Sequence, residues 1–247
     1  MKLTLEENLQ TLPFTTKINK AMLNKFLLIG MFLISVVTYG QDTLVVRDLE
    51  TWSSINLKYK INKKWSVALQ GQLRLDTNSS EVNQYFGQFD VEYSFSKHFE
   101  VSGALRYIKK NDHTGKIQGY EDYLRYHIDG TYKHKLNNLD LKYRVRYQTR
   151  NELEVEDESK QTIRFKTEAV YNIKKWKFDP ELSGELFRSA GANVNHQLES
   201  YRITFGTTFK VHKSAKMKLF YRYDQEVNTD YPLTTNIVGV KYTYSLK

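Results

Sequence analysis

The feature that most constrains this sequence is a strict alternation of apolar and polar residues, kept up over segments unusually long for a soluble β-protein. From Trp65 onward, Val67, Leu69, Gly71, Leu73 and Leu75 fall on one face, and Ser66, Ala68, Gln70, Gln72, Arg74 and Asp76 on the other. Successive side chains of a strand point to opposite faces, so this period specifies a strand with one apolar and one polar side. The pattern recurs at 84–95, 139–148 and 163–172. Less regular versions run near 49–61, 99–110, 120–134, 176–187, 198–211, 217–226 and 234–246. Strands of soluble proteins average about 5–6 residues, whereas a tilted strand crossing a bilayer needs about 9–11. Length therefore points to the membrane, and strands can span a membrane only as a closed barrel.

The connections alternate in length. Short ones fall at 62–64, 96–98, 135–138, 174–175 and 212–216, and longer ones near 77–83, 111–119, 151–161, 188–197 and 227–233. Tight turns at one end and longer loops at the other are the outer-membrane arrangement, with the short side periplasmic. Tyr59, Trp65, Tyr93, Phe95, Phe99, Tyr132, Tyr171, Trp176 and Phe209 gather beside the short turns on the apolar row, as a lipid–water interface selects. Eighteen Tyr against three Pro suits long strands. Periodicity alone counts eleven strands, but single-chain bacterial barrels have even numbers. With Leu44, Val45 and Val46 as part of an extra strand, the expectation is an all-β, antiparallel up-and-down transmembrane barrel of ten to twelve strands, twelve preferred.

Ahead of the strands, Lys25 precedes an apolar run from Phe26 to Val37, followed by Thr38-Tyr39-Gly40-Gln41. The run is shorter than the roughly 20 residues of a transmembrane helix and reads as a secretory signal with cleavage after Gly40. Residues 1–21, with Glu6, Glu7 and Pro13, do not resemble a signal prefix, and Met22 stands where one would start. The expected division is a mis-assigned upstream start at 1–21, a signal peptide at 22–40 and an outer-membrane barrel at 41–247.

With signal and strands in place, the chain resembles an uncharacterised family of bacterial outer-membrane proteins, catalogued as domain of unknown function 2490. The stretches that carry the likeness are Glu50-Thr51-Trp52, Asn62-Lys63-Lys64-Trp65-Ser66, Leu105-Arg106-Tyr107-Ile108, Tyr143-Arg144-Val145-Arg146-Tyr147-Gln148, Phe220-Tyr221-Arg222-Tyr223 and Tyr231-Pro232. Their order, more than any one motif, makes the match. The resemblance implies a barrel and brings no activity or functional residues. Gly239-x-x-Tyr242-x-Tyr244 is likewise similar to the terminal strand signal read by the barrel assembly machinery, an expected partner during biogenesis.

The formal charge is +9, and the basic residues recur at alternate strand positions instead of forming a tail or helix face. If apolar rows face lipid, polar rows face a lumen in which basic positions outnumber acidic ones. The candidate lumen-lining residues are Arg74, Arg106, Arg125, Lys142, Arg144, Arg146, Arg164, Lys166, Glu181, Glu185, Arg202 and Arg222. An open lumen of this charge favours anions. Alternatively, Arg164 and Lys166 pair across strands with Glu181 and Glu185 and fill a narrow barrel. The expected role is a small anion-preferring solute channel, monomeric, in contact with outer-membrane lipid and lipopolysaccharide. The rivals are a non-conducting structural or docking barrel and a soluble periplasmic ligand-binding barrel with its faces inverted.

No catalytic role, cofactor or metal site is expected. There is no Gly-x-Ser-x-Gly, His-Glu-x-x-His or phosphate-binding glycine loop, and the absence of Cys removes disulfides and thiolate metal sites. His127 and Asp129 share a polar row at the spacing of an acid–base pair, for which a lumen hydrogen bond is the simpler role. Glu152, Glu154, Glu156, Asp157 and Glu158 read as a solvated loop more readily than as a cation site. Nucleic acid is not an expected partner, since no basic helix or groove-reading motif is present.

Overall fold

The structure, a computed structural model, describes residues 46–112, 119–153, 155, 159–191 and 197–246. The expected upstream start, the signal segment, Leu44, Val45, His113, His196 and most of the acidic 152–158 stretch lie outside the described residues. The described chain forms eleven strands: β1 (Val46–Lys60), β2 (Trp65–Asp76), β3 (Glu81–Ser94), β4 (Phe99–Asp112), β5 (Gly119–Leu136), β6 (Leu139–Glu152), β7 (Lys160–Tyr171), β8 (Asp179–Ser189), β9 (Leu198–His212), β10 (Ala215–Glu226) and β11 (Leu233–Leu246). They run from 11 residues in β8 to 18 in β5 and close into a barrel in sequence order.

Two expectations are corrected here. The barrel has eleven strands, not twelve, and it is not purely antiparallel. Each strand pairs antiparallel with its sequence neighbour, but β1 meets β11 in parallel, from Val46 opposite Leu233 to Tyr59 opposite Leu246. The reason is directional. In an up-and-down chain with an odd number of strands, the first and last run the same way, and only a parallel ladder joins them. Val46 belongs to no separate strand; it opens β1 and leads straight into Glu50 and Trp52.

The turns show why the hairpins form where they do. Between β1 and β2, Asn62 Oδ1 accepts from the backbone N–H of Lys64 and Trp65, both at 2.8 Å. Between β3 and β4, Ser96 Oγ accepts from His98 at 3.1 Å and Phe99 at 3.0 Å. These side chains stand in for the backbone acceptors a tight turn lacks. Asn137, at φ 52°, takes the left-handed conformation required at the β5–β6 turn. The connection read as a long loop at 77–83 is instead a tight turn at 77–80. Ser80 N–H closes onto Asp76 O at 3.0 Å, and the Asp48 carboxylate holds the N–H groups of Thr77 and Asn78. β8 also begins later than expected, because Trp176 and Phe178 sit in the preceding turn.

Burial divides each strand by parity, and the division is inside out relative to a water-soluble protein. Ile55, Ile128 and Phe205 are 61%, 63% and 61% exposed, while Arg146, Arg164 and Glu185 are 9%, 8% and 6% exposed. The outer wall thus carries Leu, Ile, Val and aromatic side chains from all round the barrel. Contiguous apolar exposure on this scale marks a surface that contacts something other than water. At the turn end the aromatics contact one another in short chains: Trp65–Tyr93 and Tyr93–Phe95 at 4.7 Å, Phe178–Phe209 at 5.0 Å. Inside, two small apolar clusters, Trp52–Phe220–Ile237 and Phe86–Ile108–Tyr123, share the space with a much larger set of polar groups.

Candidate functional site: the cationic lumen

Strand parity aims the charged residues inward, and pairing decides which of them meet. β6 places Arg144 and Arg146 two residues apart on its inner row, directly opposite Lys166 and Arg164 of β7. Equal charges face to face weaken a sheet, so this row requires counter-charges. They come from the strands on either side. Arg146 donates through two nitrogens to both oxygens of Asp129 on β5, each at 2.7 Å. Glu185 on β8 accepts from Arg144 at 2.6 Å and from Arg164 Nη2 at 2.8 Å. A planar guanidinium meeting a carboxylate in this way is among the strongest charge-assisted hydrogen bonds.

Other pairs lie around this centre. Arg202 binds Asp224, Lys218 binds Glu181 and Lys166 binds Glu168. Towards the turn end Lys58 bonds Glu92 at 3.0 Å and Lys133 bonds Glu100 at 2.7 Å. Several arginines also lie on rings. Arg74 stands 3.6 Å from the Trp52 ring centre, Arg106 3.5 Å from Phe86, Arg222 4.2 Å from Phe220 and Arg164 4.5 Å from Phe187. Cations this close to an aromatic face are held by the ring quadrupole while their edges stay free to donate.

Between these side chains lies a cavity of about 370 Å³. Eight arginines and two lysines line it, against only Asp90 and Glu185 among acidic side chains, a formal excess of eight positive charges. Ten of the sequence-predicted residues come together here: Arg74, Arg106, Arg125, Arg144, Arg146, Arg164, Lys166, Glu185, Arg202 and Arg222. Lys142 and Glu181 do not. Lys142 faces Glu168 across β6–β7, and Glu181 lines a separate turn-end cavity with Lys177 and Lys216. The expected cross-strand partners are also redistributed, since Lys166 takes Glu168 and Glu181 takes Lys218.

The aromatics inside the lumen escape a reading based on polarity alone. Trp52, Phe86, Phe187 and Phe220 all fall on the polar rows, Phe86 between Gln84 and Gln88, and their parity was the available signal. His127 and Asp129 do share an inner row, yet Asp129 is taken by Arg146. His127 is 3% exposed with Nδ1 unpartnered, so the two form no hydrogen-bonded dyad.

Closed sheet, apolar exterior and charged interior together define the class: a β-barrel with an inverted distribution of polarity. Within that class the chain belongs to the family described as Protein of unknown function (DUF2490), whose model matches residues 49–232. A search of curated proteins found no match.

Proposed function

We propose that this protein is an outer-membrane barrel that passes small anions through its cationic lumen. The observation that carries the reading is the excess of ten basic over two acidic side chains around the central cavity. Charge enclosed by a low-dielectric wall concentrates counter-ions and repels cations of its own sign. The apolar outer rows and the turn-end aromatics support a lipid surround, with lipid and lipopolysaccharide as the surfaces in contact. The rival soluble barrel requires apolar residues inside and charges outside, the reverse of the observed faces. The other rival, a non-conducting docking barrel, draws support from one observation. Arg74, Arg106, Arg164, Arg202 and Arg222 are packed on Trp52, Phe86, Phe187 and Phe220 instead of projecting freely into the lumen.

Single-channel recording of the purified full-length chain in a planar bilayer under a potassium chloride gradient separates these readings. The expected result is discrete steps with an anion-selective reversal potential, reduced in Arg222→Gln and Lys241→Gln. Cation selectivity, or silence from a barrel shown to be folded by heat-dependent gel migration, would overturn the channel. Silence would leave the docking barrel.

A further inference from the structure

The lumen contains two rows of opposed arginines, and only one carries its own counter-charges. Arg146 and Arg164 are neutralised by Asp129 and Glu185. The second row crosses β4, β5 and β6, where Arg106 lies opposite Arg125 and Arg125 opposite Arg150. Among the described residues no carboxylate forms an ion pair with any of these three. Arg106 donates Nε to Gln88 Oε1 at 2.6 Å and lies on Phe86. Arg150 lies over Tyr123 at 4.8 Å. Arg125 makes no hydrogen bond with any described residue, and its Nε is buried without a partner. Directly opposed like charges destabilise a sheet, and a buried donor left unmade adds to that cost.

We infer that the Arg106–Arg125 row is a binding site for a small divalent oxyanion, a phosphate group or its sulfate equivalent. The inference rests on the cationic-lumen reading but not on conduction. Both arginines, with Arg74, line the central cavity. At roughly 30 Å³ per water, its volume holds about a dozen waters, or one polyatomic anion with part of its hydration. Two guanidinium forks on adjacent strands match the several oxygens of a tetrahedral anion, a geometry that spherical chloride cannot exploit. The nearby carboxylates do not fill the role. Glu185 is held by Arg144 and Arg164, and Asp90 accepts from the Gln88 amide.

The test is titration of the folded full-length barrel in detergent with inorganic phosphate, against chloride at matched ionic strength, by calorimetry and by the urea midpoint. Trp52, stacked on Arg74 at the cavity wall, supplies a fluorescence signal. Phosphate should bind, raise the urea midpoint and perturb that signal. Arg125→Gln should weaken binding by about ten- to a hundredfold, as loss of charge-assisted bonds predicts. Arg125→Lys, keeping charge without the fork, should weaken it less. With no hydrogen bond or ion pair to a described residue to lose, and with its charge opposed by Arg106 and Arg150, Arg125→Gln should also leave the anion-free barrel at least as stable as wild type. A phosphate effect equal in wild type and Arg125→Gln, or none in wild type, overturns the site. A barrel that conducts chloride but ignores phosphate keeps the channel and refutes the site. One that binds phosphate in the Arg125-dependent way yet passes no current keeps the site and refutes the channel.

Discussion

Ile128 and Asp129 are neighbours on β5 in opposite environments, the first 63% exposed and the second 4%. Replacing Ile128 with Arg tests what the outer wall faces. Ile128 lies near the middle of its strand, opposite Gly103 on β4 and Tyr147 on β6. Exposed Tyr132 lies towards the turn end and exposed Tyr120 towards the loop end. At the mid-plane of a bilayer a lipid-facing Arg costs about 2–4 kcal/mol, which multiplies the unfolding equilibrium constant by roughly 30 to 1000. In water the same change removes little and stays within about ±0.5 kcal/mol. The assay is denaturant unfolding of barrels inserted in phospholipid vesicles, compared with wild type. Ile61→Arg serves as a depth control, since Ile61 sits in the β1–β2 turn and is 54% exposed. A charge near the interface costs only about 0–1 kcal/mol. If Ile128→Arg falls within about half a kilocalorie of wild type in vesicles, the argument that the outer wall is solvated by lipid fails.

Removing the carboxylate of Asp129 strands Arg146 inside the barrel. Asp129→Ala should cost about 3 kcal/mol or more by urea unfolding, and much of that loss should return in the double variant Asp129→Ala/Arg146→Met. Gly239 lies against the Phe220 ring, where an added Cβ would stand 2.1 Å from Phe220 Cζ. Because that ring packs with Trp52 and Ile237, Gly239→Ala should destabilise by about 1–3 kcal/mol. Gly71→Ala, with nothing within 4 Å, should be neutral in the same unfolding measurement.

Much of this architecture is legible in the sequence because strands with an apolar outer face and a polar inner face must alternate strictly along their whole length. The run from Trp65 to Asp76 gives β2 to the residue. The parity of the strand count is not legible, since nothing in Leu44-Val45-Val46 distinguishes a separate strand from the beginning of β1, and that distinction decides whether the seam is parallel. The turn at 77–80 was obscured because Val82 and Asn83 break the alternation. The structure places a register shift between Arg74 and Leu75 against this stretch. Trp176 and Phe178 read as strand because aromatics are favoured in strands and here carry the alternation back into the turn. In the lumen, the sign of the charge follows from parity alone. Which carboxylate meets which arginine depends on the stagger between strands, and no one strand encodes that. Arg164 therefore finds Glu185 while Lys166, directly opposite Glu185, turns to Glu168.

The parallel seam has one more consequence. β1 and β11 lie side by side, yet β1 starts at the loop rim and β11 finishes at the turn rim. In a barrel with an even number of strands, a short hairpin could join the two ends and the circle could be cut elsewhere. Here a linker from Leu246 back to Val46 would have to retrace the full length of a strand. For the 15 residues of β1, at about 3.3 Å each, that is roughly 50 Å. It would run through the arginine-filled interior or along the outer wall. Circular permutation by a short linker is therefore closed to this fold. A label placed just before β1 and a label placed just after β11 therefore report from opposite rims of the barrel.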